Sequence, residues 1–545
     1  MKKINPESYY DVVIIGGGIS GLTSAALFAK FGISTCVFEM SNKPGGYLAG
    51  FDRKGFKFDT AIHWLNDCNE NGFVSKVFKI IDAKYPKAET QKKIRRFVNE
   101  NSDFLITNNP EDLKNQLIKK YPEEKKGINK FFRDAKRISA SFNDYVNLGR
   151  SLETRNIFGK FFYGLKMLKF AFSFIPHIKY SGNEGVTKGL NKYSENKEFQ
   201  DIFGAEQDLL SCLVPVAWAY SDNFQKTPKG GSRVYPQWLV DKTIKYGGAV
   251  SLKSKVTEIV LENKTVSSVK VLINNKLTEV KCKYVVAACD AETIFEKLLP
   301  PTSVSLKKKE KLKEAELYSS ALTVSVALDC PAEDLGFGEE NIFLFDTSVN
   351  REDLSSGDAH KSGIHVSAAS VRDKSLAPEG KGTVTLFIPA WINNNDFWKC
   401  EKDETGNFIR TDAYYQLKTE YAEILINRVQ EKICPNLKEH ILFYDVSAPI
   451  TYLRYTGNKH GTMMGQRPGK NNIKNKVASY KTPIKNLYQS GHWADLGGGI
   501  PIAVKSAMNT SLMILKKENP KKFKQLAKYL DGKIGIENIE KAVSV

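Results

Sequence analysis

The chain is poor in the residues that build metal and disulfide frameworks. Its eight cysteines, Cys36, Cys68, Cys212, Cys282, Cys289, Cys330, Cys400 and Cys434, are scattered through 545 residues. No CxxC pair and no His/Cys ligand spacing occurs, which argues against a structural metal and a disulfide scaffold. Reduced, mostly buried thiols in a cytoplasmic protein are expected, and no metal. No uncharged apolar run reaches the ~18 residues of a membrane span. Internal repeats, low-complexity tracts and long Pro- or Ser-rich linkers are also missing. Acidic charge is short: 61 Asp and Glu stand against 80 Lys and Arg, a formal +19. Such an excess fits an anionic membrane surface, nucleic acid or an anionic cofactor. A lysine-heavy composition in general accounts for it equally well.

What remains is a globular composition, 41% hydrophobic and 26% charged, with length for roughly three or four domains. The most informative stretch runs from Asp11 to Glu39, DVVIIGGGISGLTSAALFAKFGISTCVFE. Val12–Ile15 reads as a buried parallel strand. Gly16, Gly18 and Gly21 follow, then an apolar helix pattern, a break at Gly32, a second strand and an acid at its end. Each part has a role in binding a dinucleotide. Gly16 permits the tight turn, Gly18 lets the backbone approach a pyrophosphate, and Gly21 lets helix and strand pack closely. The helix start at Ile19 and Ser20 offers unpaired N–H groups and a positive dipole end to phosphates. Glu39 is placed to accept ribose hydroxyls. By itself the run allows NAD or FAD. The lead-in MKKINPESYY is not read as a signal peptide, because the apolar run behind it holds the phosphate loop.

Two further blocks lie far away. Lys229–Asp290 opens with a glycine turn and a helix ending at Gly247–Gly248. Strands are expected at Ala249–Leu252, Val256–Leu261, Val266–Leu272 and Leu277–Lys281, with turns at Asn263 and Asn274–Asn275. A separate buried strand, Tyr284–Cys289, follows, and Asp290 caps a helix running to about Leu299. Asn486–Leu515 reads as strand, glycine turn and long apolar helix. The expected organisation is a discontinuous nucleotide domain (1–69, 225–300, 480–518), a substrate domain from two inserts (70–224, 301–479) and a helical tail (519–545). Residues 70–224 read as helix-rich. Residues 301–479 mix helices such as Thr411–Lys432 with strands such as Leu322–Leu328, Ile364–Ala368 and Thr383–Phe387. No second GxGxxG follows a strand, which argues against a dedicated nicotinamide domain.

These blocks, in this order, resemble the FAD-dependent family of phytoene desaturases, carotenoid isomerases and retinol saturases. After Glu39, NKPGGYLAGFDRKGFKFDTAIHWL is similar to the family's second glycine doublet, at Gly45 and Gly46, and its FDTGIH-type segment, at Phe58, Asp59, Thr60 and His63. Tyr47 stands where many desaturases and amine oxidases have Arg, which points to the saturase/isomerase branch; Ala61 replaces a usual Gly. Val256–Ile259 matches the VxxI strand, whose valine backbone contacts the FAD adenine. Ser447–Gly465 resembles the saturase/isomerase stretch, with Ala448 for a usual Thr. Gly491–Ser506 resembles the C-terminal flavin motif, but His492 follows Gly491 where an acid is usual, so Asp495 or a backbone amide takes that contact. The resemblance implies an α/β fold: a Rossmann-like FAD-binding domain of amine-oxidase-type architecture with an inserted α+β substrate domain. It implies cofactor contacts at Gly16, Gly18, Ile19, Ser20, Gly21, Glu39, Gly45, Gly46, Val256, Gly491, Asp495, Gly498, Gly499 and Ile500. Gly497, Gly498 and Gly499 let the backbone press on a flat ring, with a helix N-terminus aimed at it.

On the substrate side, Phe158, Phe161, Leu165, Leu168, Phe172 and Ile175 form one helical stripe. Arg155, Lys160, Lys166, Lys169 and Lys179 punctuate it, with no acid between Glu153 and Glu184. This helix suits the surface of an anionic bilayer, or the roof of an internal apolar tunnel. Catalytic candidates are His63 and His492. Tyr47, Arg454, Tyr455 and Trp493 are expected to line the substrate cavity, and Lys459–His460 to form a solvated loop. The leading function is FAD-dependent saturation, desaturation or isomerisation of a C=C bond in a lipophilic isoprenoid or polyene, peripheral to the membrane. Transient NAD(P)H or a quinone completes the redox cycle, and no nucleic-acid partner is expected. The rivals are an amine or amino-acid oxidase and a flavin-free prenyl-binding protein.

Overall fold

The run Tyr10–Ile15 forms the central strand of a parallel sheet in a computed structural model that describes residues 9–543. Residues 1–8, most of the lead-in considered as a signal peptide, and residues 544–545 of the tail lie outside the described residues. Val12, Val13 and Ile14 are fully buried because a parallel sheet is covered on both faces. The parallel strands run in the order Ala249–Ser251, Thr35–Phe38, Tyr10–Ile15, Lys276–Ala287 and Leu487–Gln489. On one face, helices Ile19–Lys30, Val234–Lys245 and Gly499–Glu518 pack together. Three blocks hundreds of residues apart therefore share one sheet and one core.

The strands expected separately at Leu277–Lys281 and Tyr284–Cys289 are one strand of 12 residues, Lys276–Ala287. Its first half pairs antiparallel with Thr265–Ile273, and from Cys282 onward it runs parallel to Tyr10–Ile15. The sequence pattern changes midway from alternating to continuously apolar because the second half is covered on both faces and the first is not. The expected turns at Asn263 and Asn274–Asn275 are hairpin turns with both central residues left-handed: Asn263 and Lys264 at φ 48° and 59°, Asn274 and Asn275 at 48° and 63°. Asparagine tolerates that region better than most residues, which explains its placement.

The second sheet has seven strands in the order Ile441–Ser447, Ser320–Leu328, Gly382–Ala390, Ile364–Ser367, Asn341–Leu344, Lys93–Val98 and Asp103–Thr107. The last two come from the first insert, whose helix-rich sequence masked them; Lys93–Val98 pairs parallel with Asn341–Leu344. Leu322, Val324, Val326, Val384, Leu386 and Ile388 bury one face against Ala422, Leu425, Ile426 and Val429 of helix Asp412–Lys432. Alternation turns Thr323, Ser325, Thr383, Thr385, His365 and Ser367 to the opposite face, where Ala327 meets Phe56 and Phe58. One face of this sheet is thus hydrocarbon and the other is largely hydroxyl.

Helix Phe73–Ile81, assigned to an insert from sequence, packs into the core of the nucleotide-binding sheet beside Gly499–Glu518. The tail helix Pro520–Leu530 closes the same core with Leu526, Tyr529 and Leu530. Among the described residues no helix is long and apolar enough to cross a membrane.

Candidate cofactor and substrate site

The loop from Gly16 to Gly21 is fixed by backbone contacts. Gly16 sits at φ 104°, and a Cβ there would approach the Ala288 carbonyl oxygen to 2.7 Å. A Cβ at Gly21 would collide with the carbonyl oxygen of Gly16, so this glycine sets how closely helix Ile19–Lys30 crosses its strand. Gly18 differs: a Cβ there meets nothing within 4 Å. Its open side faces the helix N-terminus, whose first N–H groups have no side-chain cap. That is the cradle a pyrophosphate needs. Glu39 lies beside it, buried, accepting from Gly17 N at 2.6 Å and Ser41 N at 2.8 Å. Strand Ser254–Glu262 starts at Glu39, with Ser254 N donating to Glu39 O at 2.8 Å, which brings Val256 to the same end of the loop.

The second doublet closes on the first. Gly45 N donates to Gly17 O at 2.8 Å, and Gly18 and Gly45 form a parallel bridge. The C-terminal block arrives through hydroxyls that sequence reading did not single out. Ser20 Oγ lies 2.6 Å from Ser490 Oγ and 3.3 Å from Ser506 Oγ, and Ser506 accepts from Gly491 N at 2.7 Å. Gly18, Gly45–Gly46 and Gly491 therefore meet at one helix start, and the residues present fit a dinucleotide that spans the three blocks. Gly498 caps helix Gly499–Glu518, with Ile500 buried in its first turn.

Asp495 is held by protein groups. It accepts from Tyr480 OH at 2.6 Å and pairs with Lys505 at 3.2 Å. Burial disfavours the Lys505 ammonium, but Asp495, and the Tyr145 ring 4.2 Å away, hold its pKa above the ordinary range. His492 Nε2 lies 3.2 Å from Gly499 O, and burial lowers its pKa. Trp493 is buried in one core cluster with Val256, Ile259 and Val269 of strands Ser254–Glu262 and Thr265–Ile273. The Tyr47 hydroxyl donates to Thr462 O at 2.7 Å, and its ring lies 5.9 Å from Tyr452. On helix Pro449–Thr456, Arg454 and Tyr455 point to solvent as a cation–π pair at 4.4 Å, while Tyr452 points inward. The expected solvated loop at Lys459–His460 is corrected at Lys459. Its side chain is 8% exposed, pairs with Glu292 at 2.6 Å and donates to Lys313 O at 3.1 Å; its amide donates to Asp290.

His63 stacks on Phe387 with ring centroids 4.6 Å apart, and His365 stacks on Phe387 at 4.7 Å. Burial, then the Arg372 charge, lowers His63 to about 3, so its imidazole is neutral. Burial also holds His365 well below its ordinary value. Asp59 accepts from Ser232 N and Oγ at 2.8 and 2.7 Å, and burial nonetheless raises its pKa. No local pattern marks Phe387, His365 or Arg372, which reach His63 only through the second sheet. The fold also gathers Asp329, Cys330 and His440 with ligand atoms within 4.8 Å; the exposed His440–Asp329 contact at 2.8 Å accounts for the group.

Residues 14–81 match the NAD(P)-binding Rossmann-like domain family. The chain is 26% identical over 515 residues to the all-trans-retinol 13,14-reductase of Danio rerio, covering 88% of this chain and 82% of that protein. It is 24% identical to prolycopene isomerase 2 of an Oncidium hybrid cultivar, over 84% of this chain and 76% of that one. It is 23% identical to a 4,4'-diapophytoene desaturase of Staphylococcus aureus, over 92% and 97%. These homologues are the enzymes that the glycine blocks resemble. The fold matches cyclohexylamine oxidase from Brevibacterium oxydans with a TM-score of 0.55 at 12% identity, over 93% of this chain and 99% of that one.

Two glycines separate fold from ligand. Gly18→Ala is expected to leave the melting temperature unchanged and weaken flavin binding about tenfold to a hundredfold, the cost of an overlap of about 1–3 kcal/mol. Gly21→Ala is expected to destabilise the fold by a similar energy. Thermal melts and flavin titration distinguish the two. The neutral His63 makes a pH prediction. Below its ordinary value of 6.5 the unfolded chain takes up a proton that the native imidazole refuses until about 3. Its contribution is therefore lost as pH falls through that window, at about 1.4 kcal/mol per pH unit. His63→Phe, which keeps the stack, should flatten the stability–pH curve by that slope in denaturant titrations from pH 7 to about 4.

Proposed function

We propose that this chain, a homologue of retinol 13,14-reductase, prolycopene isomerase and diapophytoene desaturase enzymes, is an FAD-dependent oxidoreductase. It acts on a C=C bond of a lipophilic isoprenoid or polyene such as a carotenoid or retinoid, by saturation, desaturation or redox-neutral isomerisation. The observation that carries this reading is the meeting of Gly18, Gly45–Gly46 and Gly491 around one uncapped helix start. Bound FAD supplies the hydride chemistry at its N5. The protein's part is to bind, orient and keep water out. The Gly16–Gly21 loop, with the amides of Ile19 and Ser20, holds the pyrophosphate. Glu39 holds the adenosine ribose with the lone pairs that Gly17 and Ser41 leave free, and the Val256 backbone meets the adenine. Gly498, Gly499 and Ile500 open helix Gly499–Glu518, whose N-terminal dipole would favour negative charge on a bound flavin. Asp495 fixes that loop through Lys505. Transient NAD(P)H or a quinone exchanges electrons with the flavin.

The substrate arrives from a membrane in this reading. Helix Ile157–Ile178 presents its whole predicted stripe to solvent: Phe158 and Phe172 are 74% exposed, Phe161 64%, Ile175 58%, Leu168 56% and Leu165 48%. The opposite ridge, Tyr163, Met167, Phe170 and Phe174, packs onto the protein. Lysines flank the apolar face, a pairing that suits peripheral contact with an anionic bilayer on the cytoplasmic side.

Incubating the oxidised and the reduced flavoprotein anaerobically with retinoids, carotenoids and unsaturated lipids is expected to convert one of them. A product two hydrogens heavier means saturation, two lighter desaturation, and equal mass isomerisation. A colourless protein that FAD cannot reconstitute overturns the assignment. In liposome sedimentation the protein should bind anionic vesicles at low salt and release with added salt. Lys160→Glu with Lys166→Glu should weaken binding about thirtyfold, at roughly 1 kcal/mol per lysine before counting the reversed sign. Absence of binding rules out the membrane contact.

A further inference from the structure

Between the segment Phe58–His63 and the hydroxyl face of the seven-stranded sheet lies a small chamber, with about 10 Å³ of room for the centre of a water molecule. That is the space one water takes. The walls include Asp59, His63, Ser367, Arg372, Thr383 and Thr385, and the chamber reaches Lys57 and Thr227 at its outer end. The polar atoms on these walls are short of partners. Ser367 Oγ and Thr383 Oγ1 belong to residues 2% and 1% exposed, and neither makes a hydrogen bond. Both Ser232 bonds to Asp59 end on Oδ1, which leaves Oδ2 without one among the described residues. The ring nitrogens of His63 likewise have no partner there. Two orphaned hydroxyls would each cost about 1–3 kcal/mol if left dry, so the chamber is built for a polar guest.

Arg372 determines which guest. Its guanidinium is already committed, donating to Glu339 O at 2.7 Å, to Asn341 Oδ1 at 3.1 Å and to His63 O. Three of its five N–H groups are so engaged, and space for one water leaves no room for a polyatomic anion. The space admits a single neutral molecule that both donates and accepts. We propose that this chamber holds an ordered water which joins Asp59, His63, Ser367 and Thr383 into a proton relay from solvent at Lys57 toward the C=C chemistry. The relay half of this inference rests on the proposed function; the water site does not.

The geometry suits such a relay. A neutral imidazole carries one N–H and one bare nitrogen, so His63 gives a proton from one side and takes the next from the water on the other. Phe387 holds the ring in place by stacking. The segment is tied to the cofactor side by Tyr452, whose hydroxyl reaches Thr60 O at 3.5 Å and whose ring neighbours Tyr47. In a saturation, one alkene carbon receives the hydride and the other receives this proton, and solvent returns the proton through the water. Two hydrogens are gained in all, and the reduced flavin is the reductant. Desaturation runs the relay in reverse.

Diffraction from crystals of the flavoprotein should show a water within hydrogen-bond distance of the Ser367 and Thr383 hydroxyls; a dry chamber overturns the inference. Thr383→Val with Ser367→Ala removes both hydroxyls and leaves His63 in place. With a polyene that the wild type converts, this variant should keep its flavin content and KM, lose about tenfold or more in kcat, and show a larger solvent deuterium isotope effect. An unchanged kcat and isotope effect overturn the relay. A wild type that converts no polyene sinks the proposed function alone. Diffraction then decides the chamber: a water present in the wild type and lost in the double variant supports it.

Discussion

The contact of Gly21 on the carbonyl of Gly16 is the constraint from which the rest of the structure follows. It brings helix Ile19–Lys30 down onto its strand closely enough that no side chain fits between them. The first N–H groups of the helix then stand over the open side of Gly18. Everything that could touch a dinucleotide is measured from that point. Gly45 reaches it by a backbone bond to Gly17, Glu39 by accepting from the same Gly17, and Gly491 through the Ser506 and Ser20 hydroxyls. An anion site built this way uses backbone amides and a helix dipole, so it needs no lysine or arginine. The +19 charge is left for other surfaces, the exposed face of Ile157–Ile178 among them.

Polarity is divided in the same economical manner across the second sheet. One face is hydrocarbon and disappears against helix Asp412–Lys432. The other carries hydroxyls and His365, and against it lie His63, stacked like His365 on Phe387, and a half-buried Arg372 that gives two of its three bonds to backbone carbonyls. The alternation of a strand is what gives one sheet two such different faces.

Much of the nucleotide-binding half was legible in the sequence because its determinants are local. Strand, glycines, helix and acid occupy 29 consecutive residues from Asp11 to Glu39, and the hairpin turns declare themselves through asparagines in left-handed geometry. The capping role of Asp290 was visible for the same reason: its Oδ1 accepts from the amides of Glu292 and Thr293 within its own turn. What escaped was non-local. Ser490 and Ser506 look like ordinary hydroxyls until Ser20 comes to meet them. Lys459 looks like a loop lysine until Glu292 lies 2.6 Å away. The strands Lys93–Val98 and Asp103–Thr107 sit in a helix-rich stretch, and only pairing with Asn341–Leu344 makes them part of a sheet.

The sequence by itself determined the phosphate loop, the order of the three blocks, the helical stripe at 158–175 and the resemblance to polyene-acting flavoenzymes. Periodicity, glycine geometry and capping are properties of neighbouring residues, and a chain carries them whatever it packs against. Only the tertiary structure decided that the stripe faces outward and its opposite ridge inward, since periodicity shows that a helix has two faces and not which one is covered. It alone turned two expected strands into the single Lys276–Ala287, engaged Asp495 with Lys505, and set His63 against Phe387 beside a chamber of unpartnered hydroxyls. Each of these depends on groups brought together from distant segments, and burial fixes their charge and hydrogen bonding only once those groups have met.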